Sequence, residues 1–220
     1  MMNRHFKAMS LLCLAFSIPV AAKAEPPNLG VLKNEVQAYH DSGVYQKELD
    51  LVINRAHRYI ASRAEHNNSH EKLAIVLDID ETSLSNYPAL ITSNFSTSNE
   101  QWQRFIRAAN APAIHGMLAL YNDAKKHQVA VFFVTARNES QREATIKNLK
   151  KAGYTDWNGL YLKPNHDKQP SNIPFKSSAR AKIQQKGFTI IACIGDQSSD
   201  CKGEYTGRAF KLPNPYYIVP

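Results

Sequence analysis

The chain has 220 residues, of which 43% are hydrophobic and 21% charged, and its formal net charge is +8. The length is enough for one domain with a substantial core, and the composition is that of a globular protein rather than a repeat or low-complexity protein. The basic residues are scattered and form no run, which favours a solvated surface that attracts anionic substrates over a nucleic-acid partner.

The first 24 residues have the pattern of a signal peptide. Arg4 and Lys7 precede an apolar stretch, residues 8–22, that is too short to span a bilayer comfortably. Small residues in Ala22-Lys23-Ala24 occupy the positions that a signal peptidase reads. An uncleaved anchor is the alternative, but the polar sequence from Glu25 favours cleavage. We therefore predict an exported protein, periplasmic or secreted, with no stable membrane anchor and a mature net charge of +5 from 24 basic and 19 acidic residues.

Helices and apolar runs alternate along the mature chain. Helical spacing from residue 29 to about 66 predicts two helices, separated at Asp41-Ser42-Gly43. The apolar runs that follow are LAIVL (73–77), VAVFFV (129–134), LYL (160–162), FTIIACI (188–194) and a short final candidate at Ala209-Phe210. Because these runs are continuous rather than alternating, they favour a parallel sheet covered by helices on both faces.

Helix signals stand between these runs. Ser98 to Gln101 has the form of a capping box before WQRFIRAA. Asn138 is a candidate cap for a helix that Gly153 would end, and the segment SARAKIQQK stops at Gly187. The sequence therefore predicts an α/β fold, whose ligands bind outside the carboxyl ends of the strands.

Polar side chains stand at those carboxyl ends. They are Asp78 and Asp80 after the first run, Thr135 after the second, and Asp196 and Asp200 after the fourth. Ala136 follows Thr135, and Lys176 lies ahead of the SARAKI helix. In an extended strand Asp78 and Asp80 point to one side, while Ile79 returns to the core. Each residue alone is common in turns and caps, but together at one edge they indicate a site.

Phosphoryl transfer needs these residue types. One aspartate attacks phosphorus and forms an acyl-phosphate, and the other moves the proton of the leaving oxygen and then of the attacking water. Clustered carboxylates suit Mg²⁺, which keeps waters and a substrate phosphate as further ligands. The hydroxyl of Thr135, backbone N–H groups such as that of Ala136, and the Lys176 ammonium can hold the phosphoryl oxygens.

The motifs resemble those of haloacid dehalogenase (HAD) superfamily phosphatases, and within them the subfamily IIIB nonspecific acid phosphatases of class C and class B. The DxDxT motif is Asp78 to Thr82, and the next strand ends with Thr135. A lysine before a helix, Lys176, and the acid pair in GDQSSD, Asp196 and Asp200, complete four motifs in the family order over about residues 73–220.

The resemblance implies a Rossmann-like HAD core in a single phosphatase domain, residues 25–220, with N-terminal helices and a helical cap around residues 83–127. It implies that Asp78 is the nucleophile and Asp80 the general acid/base. It also implies that Mg²⁺ is bound by the Asp78 side chain, the Asp80 backbone carbonyl and Asp196, with Asp200 acting directly or through water.

The function expected from this resemblance is an exported Mg²⁺-dependent acid phosphatase of broad specificity, whose partner is a small phosphomonoester, a nucleotide among the candidates. The alternatives are a 5′-nucleotidase or phosphotransferase of the same mechanism, or a non-catalytic storage or binding protein. Phosphohistidine, vanadium-peroxidase-like and cysteine-dependent phosphatase motifs are absent from the sequence, as is a P-loop. The oligomeric state is left open.

Several further residues allow two interpretations. Cys193 and Cys201 form a disulfide in an oxidising compartment or stay as buried thiols. Trp102 either packs its helix or stacks on a leaving group, with packing favoured. Tyr87, close behind the nucleophile loop, is a better candidate than Trp102 for a substrate contact. For Arg180 we favour a structural ion pair over a phosphate contact.

Overall fold

The computed structural model describes residues 25–219, so the predicted signal peptide lies outside the described residues. The helices are α1 (Leu29–Asp41), α2 (Val44–Glu65), α3 (Tyr87–Thr92), α4 (Asn99–Ala108), α5 (His115–Lys126), α6 (Arg142–Lys151) and α7 (Ile173–Gln185). The strands are β1 (Lys72–Leu77), β2 (Ala130–Asn138), β3 (Gly159–Lys163), β4 (Phe188–Gly195) and β5 (Arg208–Lys211). A single 3₁₀ turn, Glu139–Gln141, precedes α6.

The five strands form one parallel sheet in the order β3-β2-β1-β4-β5. The sheet confirms all five predicted strands and the predicted α/β class. β1 and β4, which end in the acidic motifs, are neighbours at the centre, and Leu77 pairs with Ile194. Asp78 and Asp196 therefore emerge side by side from adjacent strands.

Both faces of the sheet are buried, as the continuous apolar runs predict. Along β1, Leu73, Ile75 and Leu77 pack with residues of α2 and α5 on one face. Ala74 and Val76 face the opposite side and pack with α7. Ile79 continues the first set into the core and is fully buried, so Asp78 and Asp80 on either side of it are left at the sheet edge.

Helix boundaries largely follow the sequence signals. Gly43 adopts a φ of 79° between α1 and α2, and Ser98 with Gln101 forms the predicted capping box of α4. The start of α7 differs from the prediction, because this helix begins at Ile173 and places Lys176 in its first turn. Pro174 fits this start, because the N–H that proline lacks has no intrahelical partner in the first turn of a helix.

The segment from residue 83 to 127 has two parts. Residues of α3 and α4 and of their connection, including Leu90, Phe95 and Trp102, line a cavity above the acidic strand ends. α5 instead packs into the core through residues such as Met117 and Tyr121. In the part of the chain from residue 25 to 219, no helix is long and apolar enough to cross a membrane.

Candidate active site

Three carboxylates meet at the carboxyl ends of β1 and β4. Asp78, Asp196 and Asp200 are 7%, 1% and 3% exposed, and each contributes an oxygen that lies within 4.8 Å of those of the other two. The sequence analysis placed these three residues at one edge of the sheet, and the structure brings them together there. Like charges so close together and removed from water are unfavourable unless a cation neutralises them.

Lys176 supplies one positive charge to this cluster. Its Nζ lies 2.6 Å from Oδ1 of Asp78, and it also donates a hydrogen bond to the carboxylate of Asp200. Burial opposes the charge of Lys176, but Asp200 and Asp78 outweigh burial and raise its pKa. The lysine is therefore a fixed ammonium between two of the three acids.

One ammonium does not balance three acids. Burial, followed by the charge of Asp200, raises the pKa of Asp78 well above its usual range and that of Asp196 to about 6. Because the donor set is three buried carboxylate oxygens, it fits a hard divalent cation that would remove this repulsion. The carboxylate of Asp80 lies outside the cluster, which leaves the backbone carbonyl as the ligand that the family resemblance assigns to this residue.

Asp196 is held in place by three side-chain donors. Thr82 Oγ1, Gln197 Nε2 and Asn214 Nδ2 lie 2.9, 2.6 and 2.7 Å from its carboxylate oxygens. Thr82, the last residue of the DxDxT motif, therefore joins the first and fourth motifs.

Asp80 lies outside the cluster and pairs with Arg137, which the sequence analysis left without a role. Arg137 Nε is 2.9 Å from Oδ2 of Asp80, and Nη2 is 2.7 Å from Oδ1. Asn86 Nδ2 also donates to Oδ1, at 2.8 Å. Burial raises the pKa of Asp80, but Arg137 and these hydrogen bonds outweigh it and hold the pKa below its usual range.

A cavity of about 610 Å³ opens above these groups. Among the predicted site residues, its lining includes Asp78, Asp80, Ala136, Lys176, Asp196 and Asp200. Thr135 is buried beneath the lining, where its hydroxyl accepts a hydrogen bond from the backbone N–H of Arg137 at 3.1 Å. Six of the seven predicted site residues therefore face one space, and the seventh supports it.

The cavity walls contain groups that the sequence did not single out. Tyr216, Tyr217 and Val219 from the end of the chain line it, together with Trp102 of α4. Trp102 thus faces the cavity, although packing was favoured for it. Tyr87 instead stacks on His40 of α1, with ring centroids 3.3 Å apart.

Arg180 corrects another expectation. Its guanidinium is fully buried and donates to the backbone carbonyls of Asp200, Lys202 and Glu204 rather than to an acid. The arginine therefore shapes the loop after β4 by satisfying carbonyls that have left the sheet. Loop carbonyls without partners are not visible in a sequence.

Cys193 and Cys201 form a disulfide, with Cα atoms 5.7 Å apart. The bridge closes the loop that carries Asp196 and Asp200, and it joins that loop to the end of strand β4. Of the two interpretations that the sequence left open, the structure therefore selects the disulfide.

The fold and site together define an α/β enzyme whose acidic centre is built for phosphate chemistry. The family model for HAD superfamily, subfamily IIIB (acid phosphatase) matches residues 2–220. The chain belongs to this family and is a phosphomonoester hydrolase of the acid phosphatase type.

The chain is also similar to individual relatives and to a solved structure. The chain is 32% identical to acid phosphatase 1 of Solanum lycopersicum over 188 residues, which cover 84% of this chain and 73% of that protein. It is 32% identical to vegetative storage protein 1 of Arabidopsis thaliana over 80% of this chain and 66% of that protein. The class C acid phosphatase from Bacillus anthracis superposes with a TM-score of 0.71 at 21% identity, over 86% of this chain and 87% of that chain, which shows the shared fold.

Proposed function

We propose that the protein is an exported, Mg²⁺-dependent acid phosphatase that hydrolyses phosphomonoesters through a phospho-aspartyl intermediate on Asp78. One observation carries this proposal. Asp78 is a buried carboxylate that faces the cavity, 2.6 Å from the Lys176 ammonium and within the three-acid cluster. A nucleophile there has charge-neutralising groups on one side and room for an ester on the other.

Asp78 begins the reaction by attacking phosphorus. An Asp78 carboxylate oxygen bonds to phosphorus as the bond from phosphorus to the leaving oxygen breaks, and Asp80 gives its proton to that oxygen. Water then attacks the phospho-aspartyl group, Asp80 takes the proton from that water, and inorganic phosphate is released. The ammonium of Lys176 and the backbone N–H of Ala136 stabilise the charge on the phosphoryl oxygens.

Asp78, Asp196, Asp200 and the backbone carbonyl of Asp80 would hold the Mg²⁺. When bound there, the ion would supply positive charge that draws the dianionic phosphate toward a carboxylate nucleophile. The raised pKa values of Asp78 and Asp196 support this proposal, because these groups carry more negative charge than Lys176 alone offsets.

The cavity supports an organic phosphate as substrate. Its volume of about 610 Å³ lies within the range of small-molecule sites, roughly 300–1,000 Å³. This is ample for an aryl or nucleoside leaving group as well as for a simple alkyl group. We therefore propose broad specificity within a single-domain enzyme, residues 25–220, in which α3 and α4 cover the site. A 5′-nucleotidase or an alcohol-dependent phosphotransferase is the alternative of the same mechanism.

Export is supported by two observations. The Cys193–Cys201 disulfide is typical of oxidising compartments. A relative from Glycine max, 34% identical over 80% of this chain and 70% of that protein, is named stem 28 kDa glycoprotein. Amino-terminal sequencing of the protein recovered from the periplasm or medium of an expressing bacterium is expected to begin at Glu25. A product that starts at Met1 and stays with the membrane would contradict cleavage.

The direct test of the proposed function is hydrolysis of p-nitrophenyl phosphate with Mg²⁺ or EDTA, beside Asp78→Asn. Turnover that requires the ion and falls by on the order of 10⁴-fold or more in the variant is expected. A storage role, which the Arabidopsis relative raises, predicts no turnover by the metal-loaded protein. Equal turnover by Asp78→Asn would contradict the mechanism. Comparing nucleotides with aryl phosphates, with and without an added alcohol, separates the narrower alternatives.

A further inference from the structure

Glu81 is a buried carboxylate directly after the two catalytic aspartates, and the proposed reaction does not use it. It is 1% exposed and adopts a φ of 52°, in the left-handed region that non-glycine residues rarely occupy. Backbone strain of this kind persists only where the surroundings impose it. The side chain turns away from the cavity and into a set of hydrogen-bond donors.

The carboxylate of Glu81 binds both the backbone and the side chain of Asn86. The Asn86 backbone N–H donates to Oε1 at 2.6 Å, and Asn86 Nδ2 donates to Oε2 at 3.1 Å. The same Nδ2 donates to Oδ1 of Asp80 at 2.8 Å. The two hydrogens of the Asn86 amide group therefore have Oε2 of Glu81 and Oδ1 of Asp80 as their acceptors, and this pair of contacts fixes which way the Asn86 amide points. Glu81 therefore orients the side-chain amide of Asn86, and that amide in turn orients the carboxylate of Asp80.

The third donor to Glu81 comes from the far end of the chain. The hydroxyl of Tyr217 donates to Oε2 of Glu81, across more than a hundred residues of sequence. Tyr217 belongs to the C-terminal segment, residues 213–219, which has no regular secondary structure. Tyr217 also lines the cavity. The Glu81 carboxylate is thus the junction between the loop after β1 and this segment.

The C-terminal segment is bound to the opposite side of the site as well. Asn214 donates to the Asp196 carboxylate at 2.7 Å, and the backbone N–H of Val219 donates to Gln197 Oε1 at 3.0 Å. Gln197 itself donates to Asp196 at 2.6 Å. One irregular segment therefore contacts both the proton-transfer side and the metal side of the acidic centre.

We propose that Glu81 is a positioning residue for Asp80, acting through Asn86, and that Tyr217 of the C-terminal segment holds Glu81 in that role. The inference rests on the proposed function, in which Asp80 protonates the leaving oxygen. It makes the chain's last residues part of the machinery that sets proton transfer, in addition to forming a wall of the cavity.

Leaving-group dependence separates positioning from general damage. p-Nitrophenolate leaves readily without a proton, whereas the alkoxide of glycerol phosphate needs one from Asp80. The constant kcat/KM reports the steps through attack by Asp78, so it isolates this proton transfer from the later hydrolysis. A misplaced Asp80 lowers kcat/KM for the alkyl ester far more than for the aryl ester. Loss of bound metal or of folded protein instead lowers kcat/KM by the same factor for the two esters.

The variants are Glu81→Gln, Tyr217→Phe and their combination. In Glu81→Gln an amide N–H₂ group replaces one of the two carboxylate oxygens. The side chain can then no longer accept all the hydrogen bonds that Asn86 and Tyr217 donate to Glu81. Tyr217→Phe keeps the ring and removes only the hydroxyl, which makes it the milder change if Glu81→Gln folds poorly. Matched controls are Glu65→Gln and Tyr205→Phe, two exposed residues that make no contact with the site.

We expect kcat/KM for glycerol phosphate to fall about 10- to 100-fold in Glu81→Gln and by a smaller factor in Tyr217→Phe, with less than about a threefold loss for p-nitrophenyl phosphate. The double variant is expected to lose no more than Glu81→Gln alone, because the two residues act through one contact. Equal losses on both esters, or unchanged kinetics in folded variants, would overturn the inference. A wild-type protein that hydrolyses neither ester would instead contradict the proposed function itself.

Discussion

Arg137 holds Asp80 through two nearly parallel contacts, Nε to Oδ2 at 2.9 Å and Nη2 to Oδ1 at 2.7 Å. This bidentate pair keeps the Asp80 carboxylate ionised. An ionised Asp80 is ready to accept a proton from water in the second step of the proposed reaction. To donate a proton in the first step, Asp80 must be protonated. Because Arg137 lowers the pKa of Asp80, the protonated form is populated only at acidic pH.

Replacing Arg137 is therefore expected to move the pH dependence in one direction. In Arg137→Gln the guanidinium that lowers the pKa of Asp80 is gone, while the burial that raises it remains. Activity that needs protonated Asp80 falls as pH rises through its pKa. The alkaline limb of kcat/KM for glycerol phosphate should therefore shift to higher pH, as a pH–rate profile would show. Arg142→Gln, which breaks an exposed pair with Glu139, serves as control. A limb that stays in place or moves to lower pH would contradict this role of Arg137.

Lys176→Met tests the charge balance of the acidic cluster. Removing the ammonium between Asp78 and Asp200 leaves buried carboxylates unpaired, which costs about 3–5 kcal/mol in comparable cases. We expect urea unfolding in EDTA to show a loss of this order, and Mg²⁺ to restore part of it. Lys182→Met, an exposed lysine on the same helix, should change stability by less than about 0.5 kcal/mol. Equal effects of the two substitutions would argue against a special role for Lys176.

Metal-free protein should become less stable as pH rises through the titration range of Asp196. The pKa of Asp196 is raised from 3.8 to about 6, so the folded protein holds this proton more tightly than the unfolded chain. The stability that this provides is fully present below about pH 4 and is lost as pH rises through about 6, in total roughly 3 kcal/mol.

Asp196→Asn isolates this effect. In EDTA, the unfolding free energy of the wild type relative to the variant should fall between pH 4 and pH 7. Saturating Mg²⁺ at pH 7 should raise the unfolding free energy of the wild type more than that of the variant, because only the wild type has an ionised carboxylate there to bind the cation. Parallel stability curves of the two proteins under both conditions would show that Asp196 neither titrates in this range nor binds the ion.

Much of this site could be predicted from the sequence, because parallel strands bring their carboxyl ends to one edge. Leu77 and Ile194 are register partners, so the acids that follow β1 and β4 meet without any knowledge of side-chain contacts. Lys176 does not follow a strand, and it was the family motif of a lysine before a helix that identified it. The start of α7 was misplaced because the SARAKIQQK pattern does not include the first turn, Ile173 to Lys176, which contains a proline that helices tolerate only there.

The parts that could not be predicted depend on long-range contacts of irregular segments. Arg137 follows two predicted site residues, but the strand register shifts between Thr135 and Asn138. The direction of the Arg137 side chain therefore cannot be predicted from the alternation of side chains along a regular strand. Tyr217 and Glu81 are distant in sequence and meet only because the C-terminal segment folds back over the site. The Cys193–Cys201 bridge depends in the same way on how the loop after β4 returns to the strand.

The disulfide is expected to stabilise the loop that carries Asp196 and Asp200. Cys193 and Cys201 are eight residues apart, and closing a loop of this size is worth about 2–3 kcal/mol on chain-entropy grounds. Cys201→Ser should therefore lower the thermal midpoint and weaken Mg²⁺ binding measured by calorimetry. Dithiothreitol should lower the midpoint of the wild type and leave that of the variant unchanged. A variant with wild-type midpoint and affinity would show that the bridge does not hold this loop.

The most direct measurement of the mechanism is capture of the covalent intermediate. Protein mixed with p-nitrophenyl phosphate and Mg²⁺ would be quenched in acid, digested and analysed by mass spectrometry. Phosphate should be found on the peptide that contains Asp78, and more of it in Asp80→Asn, where hydrolysis of the intermediate lacks its base. Asp78→Asn should carry none. Phosphate on a different residue, or turnover retained by Asp78→Asn, would contradict nucleophilic catalysis by Asp78.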